Sequence, residues 1–285
     1  MRHRHVTCAV TGANGYVGKA ITRFLKQAEI TVYELQRKPQ ASAEGILRPF
    51  VLGQEIAPET LPSVDVLIHC AYDFSLVKWS DILEINVRGS VKLFEAAKQA
   101  GVKKIMFISS MSAFDGCRSL YGRAKLLTEK EAASFDAFII RPGMVYGDRP
   151  DGLVGTLDRL VSRASILPIV GGNQVMYLVH EDDLAGLIDT LIGPMDDLLG
   201  QPIIAASPQG HTFRNILTLL AARKGKKITL VPLPWQLAWC MLKAVELIGL
   251  RPGLRSDSLV SLINQNPNPD FTATKQINQK FRDFK

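Results

Sequence analysis

The stretch TGANGYVG, residues 11–18, follows the apolar run VTCAV at residues 6–10. It places Gly12, Gly15 and Gly18 three residues apart, where a predicted strand passes into a predicted helix. The first turn of a helix has backbone N–H groups without partners, and these groups attract an anion such as a pyrophosphate. Side chains would block that contact, whereas glycine leaves the backbone open. The spacing predicts a dinucleotide-binding turn, and a plain glycine-rich turn is the alternative.

Composition limits the classes of protein that this chain can belong to. It has 285 residues, of which 47% are hydrophobic, and a net charge of +7. A chain of this length buries a substantial core. The basic balance suits an anionic ligand, and we interpret the densest basic cluster, RKGKK at 223–227, as a solvated turn, so no nucleic acid partner is expected. The four cysteines are widely separated without a CxxC pair, which argues against a metal site and a disulfide framework.

We expect a cytoplasmic protein without a membrane span. The N-terminal residues, MRHRHVTCAV, lack the apolar core of a signal peptide. The longest apolar segment, residues 235–250, contains Lys243 and Glu246 and is too short to cross a bilayer. Trp235 and Trp239 lie one helical turn apart in it. A core helix is the expectation for this segment, and the alternatives are a wall for an apolar substrate and a contact with a membrane surface.

Short apolar runs alternate with helical patterns through the first half of the chain. The predicted strands are HVTCAV, ITVYELQR, VDVLIHCA, KKIMFISS and DAFIIRPG, and helical patterns separate most of them. This alternation favours a parallel sheet with helices on both faces. Because connections between parallel strands are right-handed, the sequence predicts a doubly wound α/β sheet of the Rossmann type.

Turn-rich pieces become frequent after Pro142, which suggests a second domain. We predict a dinucleotide-binding domain over residues 1–148 and a smaller, mostly helical substrate-binding domain over residues 149–285. The run VMYLVH has the pattern of a buried strand, so residues 174–190 are expected to return to the first domain.

The end of the second strand bears on which dinucleotide is bound. NAD-specific sites place a carboxylate there for the ribose 2′-OH, whereas a 2′-phosphate requires cations. By length that position falls near Gln36, while Glu34 lies in the middle of the strand and Arg37 and Lys38 follow. The sequence therefore favours NADP(H), with NAD(H) as the alternative; the two cations are otherwise explained as a solvated strand end.

A second group of chemically active residues follows the run KKIMFISS. SLYGRAK, residues 119–125, places Tyr121 and Lys125 four apart, on one face of a helix. An ammonium beside a phenol lowers the phenol pKa from about 10 toward neutrality, which lets a tyrosine give or take a proton. The serines of FISSMSAF end the preceding buried strand, where a hydroxyl can hydrogen-bond a substrate oxygen.

Together these motifs resemble the short-chain dehydrogenase/reductase superfamily, and within it the extended, epimerase/dehydratase-like branch. The resemblance covers most of the chain. Its further motifs are HCA at 69–71, NVRGS at 86–90, ISS at 108–110, RPGMVYG at 141–147 and LVHEDDLA at 178–185, in the family's order. It implies hydride transfer between a nicotinamide and a carbinol or carbonyl carbon, by an epimerase or by a reductase, which share these motifs.

The resemblance also implies roles for particular residues. Tyr121 is expected to be the general acid/base, and Lys125 its tuning partner and a ligand of the nicotinamide ribose. Ser110 is the expected substrate-orienting hydroxyl, with Ser112 as the alternative because alternation puts both on one side of a strand. Asn86 resembles the helix asparagine found near the site. The residues expected to contact the cofactor are Gly12, Asn14, Gly15, Tyr16, Val17, Gly18, Arg37, Lys38, Cys70, Ala71, Tyr121, Lys125, Pro142, Gly143 and Val145.

The substrate is less well defined by the sequence. Dehydratases of this branch carry Asp-Glu directly after the active hydroxyl, where this chain has Met111 and Ser112, so 4,6-dehydration is disfavoured. A nucleotide sugar is the expected substrate, a lipophilic alcohol or ketone is the alternative, and a protein that senses NADP(H) without chemistry is a third interpretation. The candidate ligands of a substrate phosphate are Arg214, Arg251 and Arg255.

The resemblance implies two further features of the molecule. Helices at roughly 81–100 and 121–134 resemble those that pair in family dimers, so a homodimer is expected. His180 and Asp183 of LVHEDDLA are expected to have an architectural role, in which they tie the two domains together.

Overall fold

Strands occur along most of the chain. The computed structural model describes residues 6–38, 46–57, 60–148, 151–248, 255–277 and 279–285. Their strands are β1 (Thr7–Thr11), β2 (Thr31–Gln36), β3 (Ile46–Pro49), β4 (Val66–His69), β5 (Lys104–Ile108), β6 (Phe138–Pro142), β7 (Met144–Tyr146), β8 (Ile166–Ile169), β9 (Val175–Met176), β10 (Leu178–His180), β11 (Pro202–Ala205), β12 (His211–Thr212) and β13 (Thr229–Pro232).

Seven of these strands form one sheet in the order β11-β6-β5-β4-β1-β2-β3. All of its ladders are parallel. The strand order reverses between β1 and β4, and ligands of open α/β sheets bind at the carboxyl ends of the strands beside such a reversal. The predicted doubly wound Rossmann sheet is therefore confirmed, and it places the candidate site at the ends of β1 and β4.

Helices connect the strands and cover the sheet. They are α1 (Tyr16–Gln27), α2 (Trp79–Ile82), α3 (Gly89–Gln99), α4 (Leu120–Ala133), α5 (Gly152–Arg163), α6 (Glu181–Ile192), α7 (Phe213–Ala222), α8 (Trp235–Leu247), α9 (Ser256–Ile263) and α10 (Thr272–Gln276). A π-helical segment, Leu83–Arg88, joins α2 to α3. The helix predicted at roughly 121–134 is confirmed as α4, and Ser119 caps it by accepting from the Gly122 N–H.

Apolar side chains cover both faces of the large sheet. Val10 of β1 lies in one core cluster with Ile21 of α1 and Ile188 of α6. The next residue toward the N-terminus, Ala9, faces the other cluster with Phe94 of α3. This alternation along one central strand is what a sheet buried on both sides requires. The core thus holds the carboxyl ends of the strands in fixed positions.

Two strand predictions need correction. β11 joins the large sheet beside β6 but was not predicted, because its run PIIA is short and flanked by turn residues. The predicted strand VMYLVH is interrupted at Tyr177 and forms β9 and β10, which pair with β12 and β7 outside the large sheet. The helix that follows, α6, does pack on α1 through Arg23, whose guanidinium binds Glu181 and Asp182. The division of the chain near residue 148 stays a prediction.

The prediction of a core helix for the tryptophan segment is wrong. None of the 13 residues of α8 is buried. The helix packs on α9, where the Glu246 carboxylate accepts from the Ser256 N–H at 2.7 Å. Apolar composition favoured burial, yet most of the α8 surface faces solvent. Among the described residues, no helix combines the length and the apolar character needed to cross a bilayer.

Candidate active site

The glycines between β1 and α1 occupy positions that a larger residue would not fit. Gly12 has φ of +64°, and a Cβ atom there would lie 3.0 Å from the Ala71 backbone. A Cβ atom on Gly18 would lie 2.2 Å from the Gly12 carbonyl oxygen. Gly15 is the N-cap of α1 and offers no side-chain partner to the N–H groups of its first turn. This cradle fits an anionic group at the helix N-terminus.

A cavity of about 570 Å³ extends from this cradle along the carboxyl ends of the strands. Every residue predicted to contact the cofactor lines it except Lys38. Sequence reasoning missed several other lining residues, among them Phe50, Leu52 and Tyr72. Tyr72 directly follows the HCA motif and was within reach of that argument, whereas the segment after β3 carries no motif.

The end of β2 has the charges that the sequence suggested. Arg37 lines the cavity, and its guanidinium lies 3.8 Å from the Asp73 carboxylate. The Glu34 carboxylate is held elsewhere, since it accepts from Lys26 at 2.6 Å and from Gln36 at 2.9 Å. The cavity therefore has one cation and one carboxylate beside the predicted position of the ribose.

A buried histidine holds the loop after β4 against β1. Ser90 donates to the Asn86 carbonyl oxygen, so it accepts from His69 Nε2, and His69 Nδ1 accepts from Thr11 at 2.7 Å. The Thr11 oxygen in turn accepts from the backbone N–H groups of Cys70 and Ala71. Burial lowers the pKa of His69 to about 3, which keeps the ring neutral and this order of donors fixed. The HCA motif is thus explained as the support of one cavity wall.

Helix α4 contributes Tyr121 and Lys125 to the lining of the first cavity. The Tyr121 hydroxyl is hydrogen-bonded to Ser110. Lys125 Nζ donates to the Ile108 carbonyl oxygen at 2.8 Å and lies 4.7 Å from the centre of the Phe107 ring. The ammonium is therefore attached to the end of β5, one residue before the serines.

The pKa values of this pair differ from the sequence-based expectation. Burial raises the pKa of Tyr121 to about 12, and the hydrogen bond from Ser110 acts in the opposite direction. Burial also lowers the pKa of Lys125 to about 8. The predicted lowering of the Tyr121 pKa is not found, because desolvation outweighs it and the ammonium is directed at a backbone carbonyl. The phenol is accordingly protonated at neutral pH.

The two candidate serines have different partners. Ser110 Oγ accepts a hydrogen bond from the Ser112 N–H at 3.1 Å and is also hydrogen-bonded to the Tyr121 side chain. Ser112 Oγ lies 2.9 Å from Ser261 Oγ of α9. The geometry therefore favours Ser110 as the hydroxyl that acts together with Tyr121.

Asn86 contributes by holding the backbone of a loop. Its side chain is 2% exposed, Oδ1 accepts from the Asp73 N–H at 2.7 Å, and Nδ2 donates to the Asp73 carbonyl oxygen at 3.3 Å. The π-helical segment turns this residue toward the loop, as such segments often do at functional sites. Asn86 therefore acts as a positioning residue in this structure.

A second cavity, of about 340 Å³, lies on the other side of Tyr121. Both cavities are lined by Tyr72, Phe74, Ser110, Tyr121, Pro142 and Gly143. Most of the remaining lining is apolar and consists of Leu76, Ile82, Met111, Leu120, Met144, Leu153, Met176 and Leu262. The arrangement can hold an apolar molecule beside a phenol that the first cavity also contacts.

The polar lining of the second cavity comes largely from α9 and its flanks. Arg255 donates to the carbonyl oxygens of Phe74 and Leu76, at 2.5 and 3.2 Å. The Asp257 carboxylate accepts from the backbone N–H groups of Leu120 and Tyr121, at 2.7 and 3.1 Å. Of the predicted phosphate ligands, Arg255 lines the cavity, Arg214 does not, and Arg251 lies outside the described residues. No sequence signal pointed to α9 as a wall.

His180 and Asp183 make contacts at the start of α6 and with the C-terminal segment. His180 Nδ1 accepts from the Asp182 N–H at 3.2 Å at the start of α6, and its ring lies edge-on to Tyr146. The Asp183 carboxylate accepts from the Arg282 side chain at 2.8 Å. Neither residue lines the two cavities.

Comparison with known proteins identifies the family of the chain. The model of the NAD-dependent epimerase/dehydratase family matches residues 8–201. The chain belongs to this family. A ceramide reductase of Caulobacter vibrioides is 27% identical over 241 residues, which cover 79% of this chain and 73% of the relative. A UDP-glucose 4-epimerase of Vibrio cholerae is 27% identical over 273 residues, covering 84% and 81%.

The fold of this family member is also found among solved structures. MoeE5 in complex with UDP-glucuronic acid and NAD superimposes with a TM-score of 0.68 at 22% identity, covering 79% of this chain and 85% of that one. The Rossmann fold and the resemblance to the extended short-chain dehydrogenase/reductase branch are confirmed. As a member of a family of NAD-dependent epimerases, dehydratases and reductases, the protein is an enzyme.

Proposed function

We propose that the protein is an NAD(P)-dependent oxidoreductase or epimerase that acts at a carbinol or carbonyl carbon, with Tyr121 as general acid/base. The observation that carries this proposal is the meeting of the two cavities at Tyr121 and Ser110. The glycine cradle at one end of the larger cavity fits a pyrophosphate. A nicotinamide cofactor supplies or accepts the hydride when bound.

The chain's own residues handle the proton. Tyr121 holds it on the phenol oxygen, since the pKa of about 12 keeps that group neutral at physiological pH. Ser110, bonded to Tyr121, orients a substrate oxygen within reach of the phenol. The phenol thus donates to the oxygen of a ketone during reduction and must first lose its proton to serve as the base in oxidation.

We propose a lipophilic ketone or alcohol as the substrate class. The second cavity has an apolar lining on most sides, and the Arg255 guanidinium is bonded to the backbone at Phe74 and Leu76. Met111 and Ser112, which replace the Asp-Glu of the dehydratases, also line it. A relative named as a ceramide reductase supports the same class.

A nucleotide sugar is the second candidate substrate. It is favoured by the relative named as a UDP-glucose 4-epimerase, whose match covers 84% of this chain. Arg255 is the guanidinium available to a diphosphate within the described lining of the second cavity. Binding a diphosphate there would require Arg255 to exchange its carbonyl partners for phosphate oxygens.

The cofactor preference, the oligomer and the location are further parts of the proposal. Arg37 at the end of β2 supports NADP(H), because a cation there suits a 2′-phosphate. A homodimer through α3 and α4 follows the family resemblance and is tested by sedimentation of the purified chain. The cytoplasmic location is supported by the cysteines Cys8, Cys70, Cys117 and Cys240, all of them free thiols.

The test is turnover by the purified protein with two sets of substrates. Long-chain ketones and sugar nucleotides are each offered with NADPH and NADH, and the nicotinamide absorbance is followed. We expect oxidation of NADPH with the ketones. Turnover of sugar nucleotides alone assigns the second candidate, and epimerisation without a net absorbance change identifies an epimerase.

Tyr121→Phe tests the catalytic role within the same assay. Loss of the proton donor is expected to lower kcat by about 10²–10⁴-fold, while the dissociation constant of NADPH stays within about twofold. A variant with full activity would instead contradict the role of Tyr121. The NADP(H)-sensing alternative would be favoured if the wild type and Tyr121→Phe both bound the cofactor and neither turned over any substrate.

A further inference from the structure

The outer side of α8 exposes a stripe of apolar side chains. Leu237 is 52% exposed, Met241 60% and Ile248, just past the helix, 72%. Their spacing of four and seven residues places them on one side of the helix. Leu247, at 79%, lies beside them, and Trp235, at 42%, begins the helix. Exposed apolar side chains that share one side of a helix are typical of an interaction site.

The two-stranded ribbon of β8 and β13 precedes α8 along the chain and exposes further apolar side chains. β13 leads into α8 through Leu233 and Pro234. The parallel register pairs Ile166 with Thr229 and Pro168 with Val231, so these side chains project from one face of the ribbon. Ile166 is 67% exposed and Val231 47%. The exposed apolar side chains of α8, together with Ile166 and Val231, are called the α8 surface below.

The segment that contains α8 is strongly basic. Residues 223–255 include seven lysines and arginines and one acid, a net charge of +6 against +7 for the whole chain. The basic residues of the turn before β13, at 223–227, are all exposed. The single acid, Glu246, is turned toward α9, where it accepts from the Ser256 hydroxyl at 2.8 Å. Lys243 is paired with Glu246 at 3.6 Å, and the other exposed cations that the structure describes in this segment are those of the turn at 223–227, which precedes β13 and α8 along the chain. The segment has no other acid.

We propose that the α8 surface docks on the surface of an anionic lipid bilayer. Exposed apolar side chains bordered by lysines and arginines are the pattern of a helix that lies in the interface between headgroups and acyl chains. A nucleic acid would use the cations and leave the apolar stripe in water. A second copy of this chain would bring two segments of charge +6 together, which opposes association. The lipid surface satisfies both parts of the pattern.

The position of α8 relates this docking to the second cavity. α8 packs on α9, and Ser258, Ser261 and Leu262 of α9 line that cavity. A bilayer in contact with the α8 surface would lie one helix away from the substrate. A lipophilic substrate would therefore have a short path from the membrane to Tyr121, a consequence that rests on the proposed substrate class, whereas the docking does not.

The experiment is flotation of the full chain with two kinds of vesicle. Vesicles of phosphatidylcholine containing phosphatidylglycerol are expected to bind the protein, and vesicles of phosphatidylcholine alone to bind it at least about tenfold more weakly, because each lysine near an anionic surface contributes severalfold. Added salt is expected to weaken binding to the anionic vesicles.

Two double variants separate the apolar and the basic contributions. L237E/M241E and K226Q/K227Q are each expected to lower binding to anionic vesicles by about tenfold. The matched controls are Ile46→Glu, at an exposed apolar position of β3, and K92Q/K98Q, which removes two exposed lysines of α3. Both controls are expected to bind as the wild type does. Thermal melting checks that all variants are folded.

Three outcomes would overturn the proposal. The first is a wild type that floats with neither vesicle, and the second is L237E/M241E that binds as well as Ile46→Glu. The third is a wild type that is a dimer and does not bind vesicles, together with an L237E/M241E variant that is a monomer. That result would assign the α8 surface to contact with a second copy of the chain. Because Tyr121→Phe is expected to float like the wild type, failure of the catalytic proposal leaves this test unaffected.

Discussion

At the scale of single residues, the candidate site contains the half-buried Tyr121 and the buried Lys125, and the charged forms of both side chains are disfavoured. Burial raises the pKa of Tyr121 to about 12 and lowers that of Lys125 to about 8. A neutral phenol is a proton donor, so the proposed role of Tyr121 favours reduction at neutral pH. Ketone reduction and alcohol oxidation should therefore respond differently to pH.

We predict opposite pH profiles for the two directions of the reaction. Below a pKa of about 12 the ionised fraction of Tyr121 rises tenfold per pH unit. kcat/KM for alcohol oxidation should thus rise by about tenfold per unit from about pH 7 to about pH 10, whereas ketone reduction should stay nearly constant there. Steady-state rates in both directions measure this.

A plateau of the oxidation rate near neutral pH would contradict this prediction. It would mean that the phenol is acidic in the working site, as the YxxxK spacing by itself suggests. Tyr121→Phe controls for pH effects that do not involve the phenol, since its residual rate should lack the slope.

The choice between two serines shows what sequence reasoning reaches at this scale. Strand alternation predicted Ser110 and Ser112 on one side, but β5 ends at Ile108 and both serines lie beyond the strand. The structure separates them because Ser112 is bonded to Ser261, which lies 149 positions away along the chain. No local pattern of residues indicates a partner at that distance, so the choice could not be made from the sequence.

At the scale of elements, the turn between β1 and α1 has the least tolerance for change. We predict that Gly18→Ala abolishes detectable NADPH binding and lowers the free energy of unfolding by about 1–3 kcal/mol, because its Cβ atom would lie 2.2 Å from the Gly12 carbonyl oxygen. Calorimetric titration and chemical denaturation measure the two effects.

The matched control for this variant is Gly186→Ala in the middle of α6. There a Cβ atom meets only Gln279 and Phe24, at 3.7 Å or more. It should raise the free energy of unfolding by about 0.5–1 kcal/mol, because alanine favours a helix more than glycine does. Equal behaviour of the two variants would show that the crowding at Gly18 has no consequence.

The contact between α9 and α4 supports the element that carries Tyr121. We predict that Asp257→Asn lowers the free energy of unfolding by about 1 kcal/mol and raises KM for the substrate more than it lowers kcat. The amide keeps one acceptor for the N–H groups of Leu120 and Tyr121 and loses the charge that favours a helix N-terminus. Denaturation curves and steady-state kinetics measure the two effects.

Asp115→Asn is the control for this variant. It removes the same charge from an exposed position in the connection between β5 and α4. It should change neither the stability nor KM. If both variants behaved alike, the loss of charge and not the contact with α4 would be the cause.

Elements were predicted well where a pattern is local and poorly where a partner is distant. The strand–glycine turn–helix unit and α4 have strong local signals, namely glycine spacing and a helical pattern of residues. β11 is only four residues long, and it is a strand because it pairs with β6. α8 was predicted to be a core helix because its composition is apolar. Composition alone does not indicate whether another element of the chain packs over an apolar face.

At the scale of the whole molecule, cofactor binding should appear as stability. A ligand that binds only the folded chain at a hundredfold excess over its dissociation constant stabilises it by about 2.7 kcal/mol. We predict that NADPH raises Tm by several degrees and NADH by less, and that Arg37→Gln removes the difference. Differential scanning fluorimetry at equal nucleotide concentrations measures this.

The neighbouring lysine provides the control. Arg37 lines the larger cavity and Lys38 does not, although the sequence suggested both as cofactor ligands. Lys38→Gln should therefore retain the full response to NADPH. An Arg37→Gln protein that keeps its preference, or a wild type that responds equally to both nucleotides, would contradict NADP(H) specificity.

The wall common to the two cavities has a pharmacological consequence. The residues that line both volumes are Tyr72, Phe74, Ser110, Tyr121, Pro142 and Gly143. A single compound that joins a nucleotide head to a fatty tail could thus fill both volumes as a bisubstrate inhibitor. Such a compound should compete with coenzyme and substrate alike, and the join between its halves would rest against the phenol.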